Sequence, residues 1–198
     1  SGGIQKGMKL VKVVDDKGEI VSLYNKSYAL LIGISQYTEG WPRLYGVKDD
    51  LPAIQAVLEE HGFQVVTAWD LDDRQLKVTY EDFINQYGLE KENRLLFYFA
   101  GHGRTEVQAY GGEMGYIVPT NAPDPSIDKT GFFSKALSMQ QFEVYAKQIQ
   151  AKHALFMFDS CFSGSIFALS RAIPKSISYK VTKPVRQFIT SGSAEETV

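Results

Sequence analysis

Ala154-Leu-Phe-Met-Phe-Asp-Ser-Cys-Phe-Ser-Gly164 decides how this chain is read. It opens as an apolar run without alternation, the pattern of a strand covered on both faces. It then breaks into small and polar residues. In an open α/β sheet, ligands and chemistry collect just past the carboxyl ends of such strands. Cys161, the only cysteine of the chain, stands in that break. A second stretch has the same shape: Arg94-Leu-Leu-Phe-Tyr-Phe99 runs into Ala100-Gly101-His102-Gly103. If the two strands are parallel neighbours, Cys161 and His102 meet over one edge of the sheet.

Working outward, three more segments read as strands: Tyr28–Ile34, Phe63–Trp69 and Val185–Thr190. Helical spacing links Val47, Leu51, Ile54, Val57 and Leu58, with Gly62 as its stop. A second helix runs through Phe83, Ile84 and Tyr87, and a third carries Met139, Phe142, Tyr145, Ala146 and Ile149. Leu10–Val14 and Ile20–Leu23 flank Asp-Asp-Lys-Gly and predict a β-hairpin. Gly111–Pro119 predicts a short extended excursion about a Gly-Gly turn, and 122–130 a loop. Phe167–Lys183 is irregular and basic. Alternating strands and helices predict an α/β fold: a mainly parallel central sheet with helices on both faces.

The 198 residues suit one domain, and 44% hydrophobic content supplies a full core. A formal net charge of −2 gives no basic footprint for nucleic acid or an anionic membrane. No apolar run approaches the roughly 20 residues that span a bilayer. One cysteine makes no internal disulfide and suits a reducing compartment, so a cytoplasmic location is expected.

The chemistry of the pair is that of a thiol hydrolase. A free cysteine is mostly protonated near neutral pH, and the thiolate is the nucleophile. Histidine is the natural base, because its pKa lies near working pH. Acyl transfer also needs oxyanion donors, which backbone N–H groups of Gly103 and Cys161 can supply. The bland alternative for Cys161 is a small buried hydrophobe. His61 and His153 receive no role.

Tyr28-Ala-Leu-Leu-Ile-Gly-Ile, Gly46-Val-Lys-Asp-Asp, Phe99-Ala-Gly-His-Gly and Asp159-Ser-Cys-Phe-Ser-Gly together resemble the caspase-like cysteine peptidases, in their bacterial metacaspase-like or orthocaspase branch. The resemblance runs from about Tyr28 to Thr190. True caspases carry Gln-Ala-Cys-x-Gly at the nucleophile, and Asp159 stands where that Gln would be. The resemblance implies a caspase-like fold, with Cys161 as nucleophile, His102 as general base and acid, and Gly103 and Cys161 as the oxyanion hole. It also implies that Asp159 and Asp50 are the acids of the S1 pocket. Two carboxylates there attract Arg or Lys and repel Asp. A partly buried acid pair is costly until a cation joins it. The alternatives are a first-turn helix acid for Asp50 and a turn or cap residue for Asp159.

The expected activity is therefore hydrolysis of peptide bonds after Arg or Lys through a Cys–His dyad. A non-catalytic scaffold and another Cys–His hydrolase or acyltransferase are the rival readings. The expected partner is a protein or peptide with a basic P1 residue, with neither nucleic acid nor membrane. No cofactor is expected. The calcium of related enzymes finds a poor match here: Asp70, Asp72 and Asp73 cluster, but no carboxylate lies between Phe162 and Leu169. One Cys and three His give no zinc pattern. Domain organisation reads as an N-terminal tail and hairpin over 1–27, then a catalytic domain over 28–198. Family members continue with a further strand and helices after Val185–Thr190, so the chain reads as a large-subunit-like region lacking those small-subunit elements.

Overall fold

The computed structural model describes residues 12–14, 18–160 and 184–191. Its centre is a five-stranded parallel sheet built from β3 (Lys26–Gly33), β4 (Gln64–Trp69), β5 (Asn93–Ala100), β9 (His153–Asp159) and β10 (Val185–Thr190). Their order is β10-β9-β5-β3-β4. All five strands fall where the apolar runs predict them. Two small sheets lie outside the central one. β1 (Lys12–Val14) and β2 (Ile20–Ser22) form the expected antiparallel hairpin. β6 (Gly103–Val107), β7 (Glu113–Ile117) and β8 (Leu137–Ser138) form the other.

The pleat divides the core into two. Leu30, Ile32, Leu95, Phe97, Phe99, Phe156 and Phe158 face one side, where α2 (Asp73–Tyr87) and α4 (Met139–Gln148) cover them. Ala29, Leu31, Leu96, Tyr98 and Ala100 face the other side, under α1 (Val47–Glu60). Alternate residues take opposite faces, so a strand apolar at every position needs helices on both. β3 meets this fully, being buried from Ser27 to Gly33. β9 is more one-sided than its sequence predicts: Ala154, Phe156 and Phe158 are buried, while Leu155 and Met157 are half-buried. Among the described residues α1 is the helix on that side, and it packs on β3 and β4.

α1 comes close enough to the sheet to require a glycine. A Cβ on Gly33 would stand 2.9 Å from Val47 Cγ1 and 3.0 Å from both Leu51 and Trp69. α2 begins with a capping box: Asp72 accepts from the Gln75 N–H and the Gln75 side chain from the Asp72 N–H. On the other face, in-register pairing stacks three phenylalanines across three strands. Phe97 and Phe188 both pair with Phe156, with ring centroids 4.4 and 4.9 Å away. Such aromatic pairs each add about 0.5–1.5 kcal/mol beyond area burial.

Between β5 and β9 the structure is richer than one loop and one helix. The excursion expected over Gly111–Pro119 holds β7, which pairs with β6, a strand the sequence does not predict, and α3 (Lys129–Lys135) stands partly where a loop is expected. α3 is 7 residues long and contains Gly131, too short to show a helical stripe. Its start is fixed by Asp128, whose carboxylate accepts the Gly131 N–H.

Candidate active site

Of the predicted site residues, His102, Gly103, Asp50 and Asp159 lie at the carboxyl edge of the sheet. β5 and β9 are parallel neighbours, and their register ends on the pair Ala100–Asp159. The two strands are thus the parallel neighbours that the sequence predicts. His102 follows Ala100 by two residues. Cys161, two residues after Asp159 in sequence, lies outside the described residues, as does the basic stretch through Lys183.

His102 is held from several sides. Its backbone N–H donates to the Tyr37 phenolic oxygen at 2.7 Å. Its Nε2 lies 2.8 Å from the Pro42 carbonyl oxygen. A carbonyl only accepts, so Nε2 carries the proton and Nδ1 the lone pair of the neutral ring. Tyr37 and Trp41 pack on the imidazole, with centroids 4.7 and 5.2 Å away. Burial lowers the imidazole pKa below its ordinary value, and the Pro42 carbonyl pulls weakly the other way. The neutral base is therefore favoured near pH 7. Gly101, just before it, admits no side chain: a Cβ would stand 2.8 Å from the Phe99 ring and 2.9 Å from the Tyr37 hydroxyl.

The loop supplying Tyr37, Trp41 and Pro42 is anchored by Asp70. Its Oδ1 accepts the N–H groups of Ser35 and Gln36 at 2.7 and 2.9 Å, and Oδ2 accepts from the Gln36 side chain. Asp70 takes a left-handed φ of 48° to do so. At the loop's other side, the Trp41 indole N–H donates to the Ala122 carbonyl at 3.0 Å. Asp72 is the cap of α2, and Asp73 exchanges hydrogen bonds with Asn121. The acidic cluster thus serves the loop and the helix start. Among the described residues no group of three metal-ligating side chains occurs.

Gly103 opens β6. The Val118 N–H donates to the His102 carbonyl at 3.0 Å, which makes Gly103–Ile117 a non-hydrogen-bonded pair of the antiparallel ladder. The Gly103 N–H is therefore directed away from β7. Among the described residues no strand of that small sheet lies on its other side.

Asp159 ends β9. Its Oδ2 accepts the Tyr98 hydroxyl at 3.0 Å and its Oδ1 the Ser191 hydroxyl at 2.7 Å. Ser191 also accepts the Ser160 N–H. Ser160 is buried, and its hydroxyl donates to the Gly101 carbonyl at 2.8 Å, tying the ends of β9 and β5 together. Asp50 lies in the first turn of α1, and its charge acts on the same Tyr98 phenol as that of Asp159. Both carboxylates are exposed, not partly buried as expected.

His61 stands at the end of α1, its Nδ1 near the Val57 carbonyl. His153 begins β9, at the amino edge, beside Tyr24. Tyr37, Trp41, Pro42, Tyr98 and Ser191 received no role from the sequence. Tyr98 carried the clearest signal, a phenol in an otherwise apolar run.

The caspase domain family model matches residues 26–197. The chain belongs to the caspase-domain family. Among curated proteins none matches it. Of solved structures, protein GSU0716 from Geobacter sulfurreducens is similar at 19% identity and a TM-score of 0.53, over 71% of this chain. That likeness supports the caspase-like α/β fold. This chain spans only 52% of the length of that protein. Among the described residues of this caspase-family chain, no helix is long and apolar enough to cross a membrane.

Proposed function

We propose that this caspase-family chain is the catalytic region of a cysteine endopeptidase that cuts after Arg or Lys. The observation that carries the reading is the state of His102. Its Nε2–H is spent on the Pro42 carbonyl, so Nδ1 is the acceptor, and burial keeps the ring neutral. A neutral ring with Nδ1 as acceptor can take a proton from an acid beside it, and Cys161 follows the neighbouring strand by two residues in sequence.

In this reading Cys161 gives its thiol proton to His102 Nδ1. The Pro42 carbonyl then stabilises the imidazolium through its hydrogen bond to Nε2–H. The thiolate attacks the scissile carbonyl carbon, forming the C–S bond. The oxyanion receives the N–H groups of Gly103 and Cys161. Collapse of the tetrahedral species breaks the C–N bond, and the imidazolium protonates the leaving amine. Water, deprotonated by His102, hydrolyses the thioester and restores the thiol. Asp50 and Asp159 bind the P1 cation, Arg through a bidentate fork and Lys as a point charge. The reading includes a catalytic domain beginning near residue 28 and a small-subunit-like partner segment beside β10, as the resemblance implies.

Peptides with Arg, Lys or Asp at P1 and a fluorogenic leaving group test it. Cleavage after Arg and Lys but not Asp is expected, and Cys161→Ala abolishes it with the melting temperature kept. Wild-type cleavage after Asp, or an active Cys161→Ala protein, overturns the reading.

A further inference from the structure

We propose that Tyr98 and Ser191 are positioning residues for basic-residue recognition: two neutral hydroxyls, one on β5 and one just past β10, fix the Asp159 carboxylate in the orientation that a cationic side chain meets. This rests on the pocket reading of Asp50 and Asp159.

The geometry is specific. Each oxygen of Asp159 accepts one hydroxyl, Tyr98 at 3.0 Å and Ser191 at 2.7 Å. A carboxylate has about four lone-pair sites. One on each oxygen therefore stays open, and the two open sites suit a planar fork. Direction in the chain of bonds is also settled. The Ser191 oxygen accepts the Ser160 N–H at 3.1 Å. Its single proton then goes to Asp159 at 2.7 Å in preference to the Phe158 carbonyl at 3.5 Å. Tyr98 is buried at 6% exposure, so its ring is fixed by packing and its hydroxyl has little freedom. Burial and the charges of Asp159 and Asp50 raise its pKa far above the usual phenol range. It therefore donates, uncharged, at any working pH, and adds no negative charge to the pocket.

The contribution of Ser191 has a topological consequence. It follows β10, so the orientation of Asp159 on β9 depends on β10 being docked. The Ser191 N–H donates to the Phe158 carbonyl at 2.9 Å, continuing the ladder one residue past the strand. Recognition of a basic residue is thereby coupled to the seating of the last described strand.

The test measures binding of n-propylguanidinium and n-butylammonium by NMR titration of wild type, Tyr98→Phe, Ser191→Ala and Asp159→Ala proteins. It needs no turnover. Both hydroxyl variants should weaken guanidinium binding by about tenfold, the scale of one lost hydrogen bond to a charged group. Ammonium binding should fall only about two- to threefold, because a point charge tolerates a rotated carboxylate. Melting temperatures should stay near wild type, since one change is isosteric and the other is at an exposed residue. Unchanged guanidinium binding in both variants, or equal weakening of the two probes, overturns the proposal. If Asp159→Ala binds guanidinium as wild type does, the pocket reading itself falls and takes this inference with it.

Discussion

At the residue scale, the decisive object is an imidazole with one nitrogen committed. The Pro42 carbonyl fixes the tautomer, and the rings of Tyr37 and Trp41 pack against the imidazole and shield it in part. Because burial lowers the His102 pKa, the acid limb of kcat/KM should have its midpoint below pH 6.5, with activity rising as pH rises through it. Trp41→Ala readmits water and removes part of that desolvation. Its acid limb should move to higher pH, toward the unperturbed value. A pH–rate profile of the two proteins checks this; a limb that stays put or moves lower contradicts the account. Linkage gives a second readout. Below pH 6.5 the unfolded imidazole takes up its proton before the folded one does. His102 therefore costs stability progressively as pH falls from 6.5 to its folded pKa, and above 6.5 contributes no pH dependence. In Trp41→Ala this part of the acid destabilisation should shrink, as melting curves across that window would show.

At the scale of elements, β10 is attached by more than its ladder. The Arg186 guanidinium donates to the carbonyls of Ala146, Ile149, Lys152 and Val185, at 2.6 to 3.3 Å. The first two belong to the end of α4, where unsatisfied carbonyls and the helix dipole favour a cation. Arg186→Ala leaves those carbonyls short of partners. The expected loss is about 2 kcal/mol, or roughly 4–8 °C in melting temperature for a domain of this size. Arg186→Lys should recover little of it, because one ammonium cannot span the same carbonyls. Differential scanning calorimetry decides; a wild-type melting temperature in Arg186→Ala would show the contacts to be incidental. Arg186 also shows where the sequence was opaque. Its partners are backbone carbonyls, which leave no trace in residue identities. The five strands of the central sheet and the three longer helices were legible because their apolar spacing is the cause of their burial, whereas β6 and β8 were not. α3 was not, since a 7-residue helix rests on its Asp128 cap and on tertiary packing of Phe132. The same division runs through the site. The positions of His102, Gly103 and Asp159 at strand ends, and of Asp50 in the first turn of a helix, were legible. Pro42 acts through its main chain, and Ser191 only through the register that brings β10 alongside β9. Nothing local marks either.

At the scale of the whole molecule, parallel register is what makes distant sequence segments share one edge. Asp50 comes from α1 and Asp159 from β9, with Tyr98 of β5 between them and acted on by both charges. Exposure of both carboxylates sets the size of the expected effect. Water and salt screen them, so the contribution of each to P1 recognition is smaller than that of a buried pair. Asp159→Ala should lower kcat/KM for Arg peptides by about tenfold, mostly through KM, and should gain nothing with Asp peptides. Asp50→Ala should cost less, because no hydroxyl fixes it as Tyr98 and Ser191 fix Asp159. If the proposed pocket holds one cation between both acids, the two changes should not add. Once Asp159 is gone, the cation loses its fixed partner, and removing Asp50 costs less than it does in wild type. Raising ionic strength should erode the wild-type preference for Arg over a neutral P1 residue and leave the double variant nearly indifferent. A double-mutant cycle on kcat/KM, repeated at low and high salt, tests both parts. Strict additivity at low salt would return at least one of the two acids to an ordinary helix-start or turn role.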